Sequence, residues 1–212
     1  MTLQIKDSLI YNNERHLIHD ELLEYKIRAD KSLKPKSAGS FSACWRGYIA
    51  TFEILENNIY LKDIHIKDDK ERQRLLNGLF QDSQDYKLTW LNTLIVLYKN
   101  KLDGKTSLPE LSIYESYEIL TIQEGNLIDS KIFSHEEYIN FKYNHYLNFI
   151  NSDEYEIYKQ SYIDTNTEYY KEKRELHPNL ATWKKFVFNE DELKRSIKRH
   201  ILSFIKKSIR KN

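Results

Sequence analysis

Cysteine occurs once in this chain, at Cys44, methionine occurs once, and there are only five glycines. A single cysteine excludes an internal disulfide and any Cys-rich zinc site, and a reducing interior is its natural home. Five scattered glycines leave no phosphate-cradling loop and no dinucleotide fingerprint, which removes most nucleotide-dependent enzyme classes. No apolar run approaches the ~18 residues needed to span a bilayer. The start, MTLQIKDSLIYNNERH, lacks a basic stretch followed by a long apolar one, so no signal peptide is expected. His16 and His19 are three apart, but His65, His135, His145, His177 and His200 are scattered, with no His-Glu-x-x-His spacing. The expectation is a cytoplasmic protein without metal or cofactor.

What is present is tyrosine and charge. The 212 residues include 16 tyrosines, and 31% are charged against 40% hydrophobic. Tyrosine buries a large ring while keeping a hydroxyl for water or a partner. The same bias toward Ile, Lys, Asn and Tyr is also what an AT-rich genome produces. The net charge of +1 hides an asymmetry, because residues 194–212 carry eight Lys or Arg and no acid, leaving −7 on residues 1–193 (+1 − 8). Such blocks mark interaction surfaces, or pack against each other.

The first half reads as β-structure. Leu9–Tyr11 and His16–Ile18 flank Asn12-Asn13, a pair suited to a tight hairpin turn. Glu21–Asp30 suggests a short amphipathic helix and Lys31–Gly39 a loop. From Ser42 to Ile66 two β-rich runs flank Asn57-Asn58. Strict alternation would put Cys44, Arg46, Tyr48, Ala50 and Phe52 on one face and Trp45, Gly47, Ile49, Thr51 and Glu53 on the other. Both faces carry apolar residues, as in an inner strand. Lys70–Phe80 has helical spacing, and Lys87–Tyr98 reads as a strand. Asp103-Gly104 reads as a turn, and Ile113–Ile122 and Asn126–Phe133 as a hairpin around Glu124-Gly125. Beyond Ser134 the pattern turns helical, with capping signals at Ser134–Glu137, Asp153–Glu156 and Asn189–Glu192. A last amphipathic stripe runs through Leu193, Ile197, Ile201, Phe204, Ile205 and Ile209. The expected class is α+β: an antiparallel rolled sheet or half-barrel of six to seven strands over 1–133, followed by C-terminal helices over 134–212 packed on it, one domain overall.

Few residues offer chemistry. Arg46 beside Cys44 would lower a thiol pKa, but cysteine is equally a small core residue. Glu53 in an apolar strand must find a partner or bear desolvation. Glu53 and Glu118 would make an acid/base pair, with Arg46 binding an anion, only if the fold joins them. Lys194, Arg195, Lys198 and Arg199, followed by Lys206, Lys207, Arg210 and Lys211, would neutralise phosphates. Equally, they complement a helix dipole or an acidic neighbour.

The run Trp45-Arg-Gly-Tyr-Ile-Ala-Thr-Phe-Glu53, followed by Asn58-Ile-Tyr-Leu-Lys-Asp63, resembles a group of uncharacterised bacterial proteins. In these, an Arg-Gly-Tyr-x-Ala-Thr-(Trp/Phe)-Glu-Ile strand precedes a (Leu/Ile)-Tyr-Leu-x-Asp return. The Trp90 stretch and the Tyr114–Glu118 to Glu124-Gly125 hairpin are also similar, so the likeness covers about the first two thirds. It implies a bacterial intracellular protein with a β-rich body and brings no activity with it.

Three functions fit. The first is a non-enzymatic intracellular protein that binds another protein through tyrosine-rich and charged surface, for instance an immunity or antitoxin-like protein. The second is an enzyme with a cleft centred on Glu53, Glu118 and Arg46. The third is a nucleic-acid binder using residues 194–211.

Overall fold

The computed structural model describes residues 4–39, 42–81, 85–102, 112–178 and 185–211. The turn expected at Asp103-Gly104 lies outside them. The chain is α+β. Seven strands, β1 (Asp7–Tyr11), β2 (Glu14–Ile18), β3 (Ile49–Leu55), β4 (Asn58–His65), β5 (Thr93–Lys101), β6 (Tyr114–Gln123) and β7 (Asn126–Ser134), form one sheet in the order β2-β1-β3-β4-β7-β6-β5. Helices α1 (Glu24–Ala29) and α2 (Asp69–Phe80) interrupt the strands. Helices α3 (His135–Ile150), α4 (Asp153–Leu176), α5 (Glu190–Arg199) and α6 (Ile201–Lys211) follow them. By contact the chain forms two compact units, one of Met1–Glu136 with Ile209–Asn212 and one of Glu137–Ser208.

Three hairpins share one device. Asn12-Asn13, Glu56-Asn57 and Glu124-Gly125 each place two successive residues at positive φ. That turn matches the strand twist and favours Asn and Gly. The middle turn falls one residue earlier than expected, and Asn58 opens β4. Gly125 is constrained twice, by φ +72° and by the Leu88 carbonyl oxygen 2.6 Å from where a Cβ would stand. The sheet is not wholly antiparallel: β1 pairs parallel with β3, Leu9 opposite Phe52. A parallel pair needs a long crossover, and the chain from β2 through the loop before Ile49 supplies it.

Leu9, Ala50, Phe52, Ile59, Leu61, Ile95, Leu97, Leu120 and Ile122 line the buried face of the sheet, and Leu75, Leu76, Leu79 and Phe80 of α2 pack with them. Asp68 caps α2 by accepting from the amides of Lys70 and Glu71. Edge strands β2 and β5 approach each other without pairing, as in the contact of the His19 and Tyr98 rings at 5.5 Å.

Two expected strands are shorter than their patterns. Residues 42–47 form turns, with Gly47 at φ +78°, because Arg46 is drawn to Asp7 rather than along the sheet. Only an isolated bridge, Lys87 to Tyr60, precedes a turn at 89–90. There the Leu88 amide donates to Ile59 O and the Leu91 amide to Leu88 O.

The helical unit has its own core. Tyr155, Leu193, Ile197 and Ile201 are buried, with Tyr146, Phe149, Tyr158, Tyr162 and Phe204 around them. Asn189 caps α5 by accepting from the Glu192 amide at 3.1 Å. Asp153 does not cap α4; Ser152 stands at that position, and its hydroxyl donates back to the Phe149 carbonyl at 2.7 Å. The last apolar stripe is divided between two helices at His200.

Candidate functional site

Arg46 organises a concavity of the β-rich unit. The turn that carries it is fastened to the N-terminal segment: the Ile5 amide donates to Ala43 O, Gln4 donates to Ser42 O, and the Trp45 amide donates to the Gln4 side chain. Gly47 closes this turn against the preceding loop. A Cβ there would meet Ser37 Oγ at 2.7 Å and the Ala38 amide nitrogen at 2.8 Å, so only glycine fits.

The Arg46 guanidinium then points inward. It donates to Asp7 Oδ2 at 2.6 Å and to the Ile5 carbonyl at 2.9 Å. The side chains of Asp7 and Arg46 are 0% and 8% exposed. The other Asp7 oxygen accepts from the Ala50 amide at 2.8 Å. Burial pushes the Asp7 carboxyl up, with Arg46 and the Ala50 amide pulling against it. Burial also works against the Arg46 charge, but Asp7, Tyr48 and Glu21 more than offset it and hold its pKa above the ordinary value. Tyr48, buried beneath the guanidinium at 5.0 Å, donates to Glu24 at 3.0 Å, and burial raises its pKa far above that of a free phenol. Arg28 bridges Glu21 at 2.8 Å and Glu24 at 3.2 Å.

Beside this network lies a cleft of about 440 Å³ lined by Glu21, Glu24, Ile27, Arg28, Lys31, Lys34, Ala38, Trp45 and Arg46. Trp45 is 66% exposed at its edge, while Lys31 and Lys34 are exposed on its rim. The opposite wall is held as firmly as the Trp45 turn. Arg74 of α2 donates to the carbonyls of Ser32 and Lys34, and Glu71 accepts from the Lys36 amide at 2.9 Å. The cleft therefore offers an exposed indole on a backbone-fastened turn, a small apolar floor and two ammonium groups with no ion-pair partner among the described residues.

The three residues read as a catalytic set stand apart. Glu53 is on the outer face of β3, 2.7 Å from Lys62 across the β3–β4 ladder. Glu118 faces the opposite, core side of β6, with β4 and β7 between the two strands. It accepts from Ser130 at 2.8 Å and lies 2.7 Å from Lys99 of β5. Its hydrogen bond raises the Lys99 pKa. Nearby on β2, burial and the Lys99 charge lower the pKa of His16. Arg46 serves Asp7. Arg46 lies in the turn before β3 rather than on the strand with Glu53, and no sequence signal showed that Asp7 would claim the guanidinium across 39 residues. Cys44 is half-buried, and its thiol contacts the Tyr48 carbonyl at 3.2 Å.

The basic residues of the last helices are largely engaged within the helical unit. Lys194 meets Glu190 at 2.9 Å and lies over the Tyr155 ring. Lys198 lies 5.2 Å above the Tyr143 ring, Lys207 is over Phe204, and Arg195 donates to the Asp191 carbonyl. Arg199 is exposed. Among the described residues, no group of three or more His, Cys, Asp or Glu side chains is arranged to hold a metal ion, and no helix is long and apolar enough to cross a membrane.

No family model, curated protein or solved structure matches the chain.

Proposed function

We propose that this chain is an intracellular protein-binding protein that grips a segment of another polypeptide in the Trp45 cleft. The exposed, rigidly mounted Trp45 is the observation that carries the reading. Tryptophan and arginine dominate the energetic centres of protein interfaces, and a turn whose backbone is already fastened at Trp45 needs little ordering on binding. Ile27 at the floor and the lysines on the rim select an apolar anchor flanked by acidic residues. One concrete form is an immunity or antitoxin-like role, in which that segment belongs to a toxin. The alternatives have less support. Glu53, Glu118 and Arg46 occupy three separate environments, and Lys194 and Lys198 are drawn onto side chains of their own unit.

A photo-crosslinking residue in place of Lys34 is expected to capture a protein in the native cytoplasm. Trp45→Ala should cut its affinity by about 2 kcal/mol, on the order of 30-fold, and Lys31→Glu with Lys34→Glu should slow association. Undiminished binding by a folded Trp45→Ala variant would overturn the reading.

A further inference from the structure

β7 has a free edge. Strands β4 and β7 pair in register at Asn58 and Asn126 alone, and from that point they run in opposite directions. Beyond the Leu127 amide, which donates to Asn57 O at 2.7 Å, the side of β7 away from β6 pairs with no strand among the described residues. The exposure is not slight: Ile128 is 58% and Ile132 61% exposed, and Asp129, Ser130 and Lys131 between them are exposed too. In an antiparallel ladder every second residue directs its N–H and C=O away from its partner strand. β7 therefore presents unused donors and acceptors beside two large aliphatic side chains, the feature that natural sheets usually blunt.

The order of residues along this edge identifies its occupant. Ile128-Asp129-Ser130-Lys131-Ile132 is self-complementary when read in the antiparallel sense. A two-fold axis through Ser130 sets Asp129 of one copy across from Lys131 of the other, twice, and brings each Ile128 beside the other copy's Ile132. A single edge lysine normally guards against such pairing. Here the symmetric register gives that lysine a carboxylate, and opposite charges directly across an antiparallel pair stabilise it. Among the described residues neither Asp129 nor Lys131 has an ion-pair partner; Lys131 overlies the Phe133 ring at 5.2 Å.

We propose that two copies of this chain pair through the β7 edges, joining their sheets into one continuous sheet across a two-fold axis at Ser130. The five-residue edge alone is smaller than the roughly 1,200 Å² of a standard stable interface, so the dimer forms reversibly with concentration. The proposal is independent of the Trp45 cleft, which lies elsewhere in the unit.

Sedimentation equilibrium of the full chain over a broad concentration range tests it. The expected result is a monomer–dimer equilibrium weakened at least tenfold by Asp129→Lys and equally by Lys131→Asp, each of which opposes like charges. The double variant, which reverses the polarity of both pairs, restores association. A second reading uses Ser130→Cys in a Cys44→Ser background. Paired backbones at the axis bring the two Cα atoms to roughly 5.5 Å, within disulfide range, so an intermolecular disulfide forms readily, whereas Ile157→Cys on α4 in the same background does not crosslink. A chain that stays monomeric throughout, a double variant no better than the singles, or a β7 edge that takes only a foreign extended peptide would each overturn the proposal.

Discussion

The two units build their interiors from different materials. The β-rich unit buries aliphatic side chains around Leu9, Phe52, Leu79 and Leu97, and places a largely buried ion pair, Asp7 with Arg46, at its margin. The helical unit is held by rings: Phe149 meets Phe204 at 4.8 Å, and Tyr158 meets Phe204 at 5.0 Å, around a few aliphatic residues of α5 and α6. Its polar contacts are at the rim, where the Tyr155 hydroxyl reaches Glu190 at 3.1 Å. The difference shows one use of the chain's tyrosine. A ring with a hydroxyl closes a small, wet core, because one end packs while the other bonds water or a carboxylate. The larger sheet core excludes water and takes branched aliphatics.

The contrast predicts unequal responses to mutation. The largest is at Asp7. Asp7→Ala takes from the Arg46 guanidinium its close carboxylate, leaving only Glu21 at 3.9 Å, and should cost about 3–5 kcal/mol by urea denaturation. Arg46→Met should cost less at low pH than at neutral pH, because Asp7 can take up a proton where Arg46 cannot lose one. With the folded pKa of Asp7 raised, its contribution is complete below the unfolded value and is lost as pH rises through the folded one. A pH-independent penalty for Arg46→Met would break this account.

Next is the aliphatic core. Leu79→Ala should cost about 2–5 kcal/mol through the cavity it opens. Gly125→Ala comes third, at about 2 kcal/mol or more, because it forces a side chain into positive φ against the Leu88 backbone. In the helical unit Tyr155→Phe removes one hydrogen bond and keeps the ring, so about 1 kcal/mol is expected. Its phenol, pushed up to about 12 by burial and Glu190, stays protonated throughout such measurements. If Tyr155→Phe costs as much as Leu79→Ala, the distinction between a dry core and a wet one fails.

The smallest effect concerns one histidine in each unit. Burial lowers the pKa of both His16 and His145. A base whose folded pKa is depressed supports the fold above its unfolded value, near 6.5, and that support is lost as pH falls through the folded value. Stability should therefore decline between about pH 7 and pH 5, and His16→Gln or His145→Gln should each flatten the slope. Unchanged slopes in both variants would remove histidine from the explanation.

Local patterns carried much of the fold. Asn12-Asn13 and Glu124-Gly125 announced their turns because only a few residues tolerate two successive positive φ values. Asn189–Glu192 announced a helix start, and Leu75, Leu76 and Leu79 announced the buried face of α2. The candidate site was less legible. Arg46, Gly47, Glu53 and Glu118 drew notice as polar or special residues in apolar surroundings. What each one does depended on partners 39, 10, 9 and 12 to 19 residues away. Asp7, which decides the orientation of Arg46, carried no signal in the sequence.

The amino-acid order by itself determined the hairpins, the alternation of faces, the helical character after Ser134 and the charge contrast of the tail, because these follow from backbone sterics and side-chain periodicity over a few residues. Tertiary structure alone decided the parallel pairing of β1 with β3, the turn that exposes Trp45, the separation of Glu53 from Glu118 and the free edge of β7. Each depends on which strand end meets which, and a buried charge or an unpaired edge exists only once distant segments have taken their places.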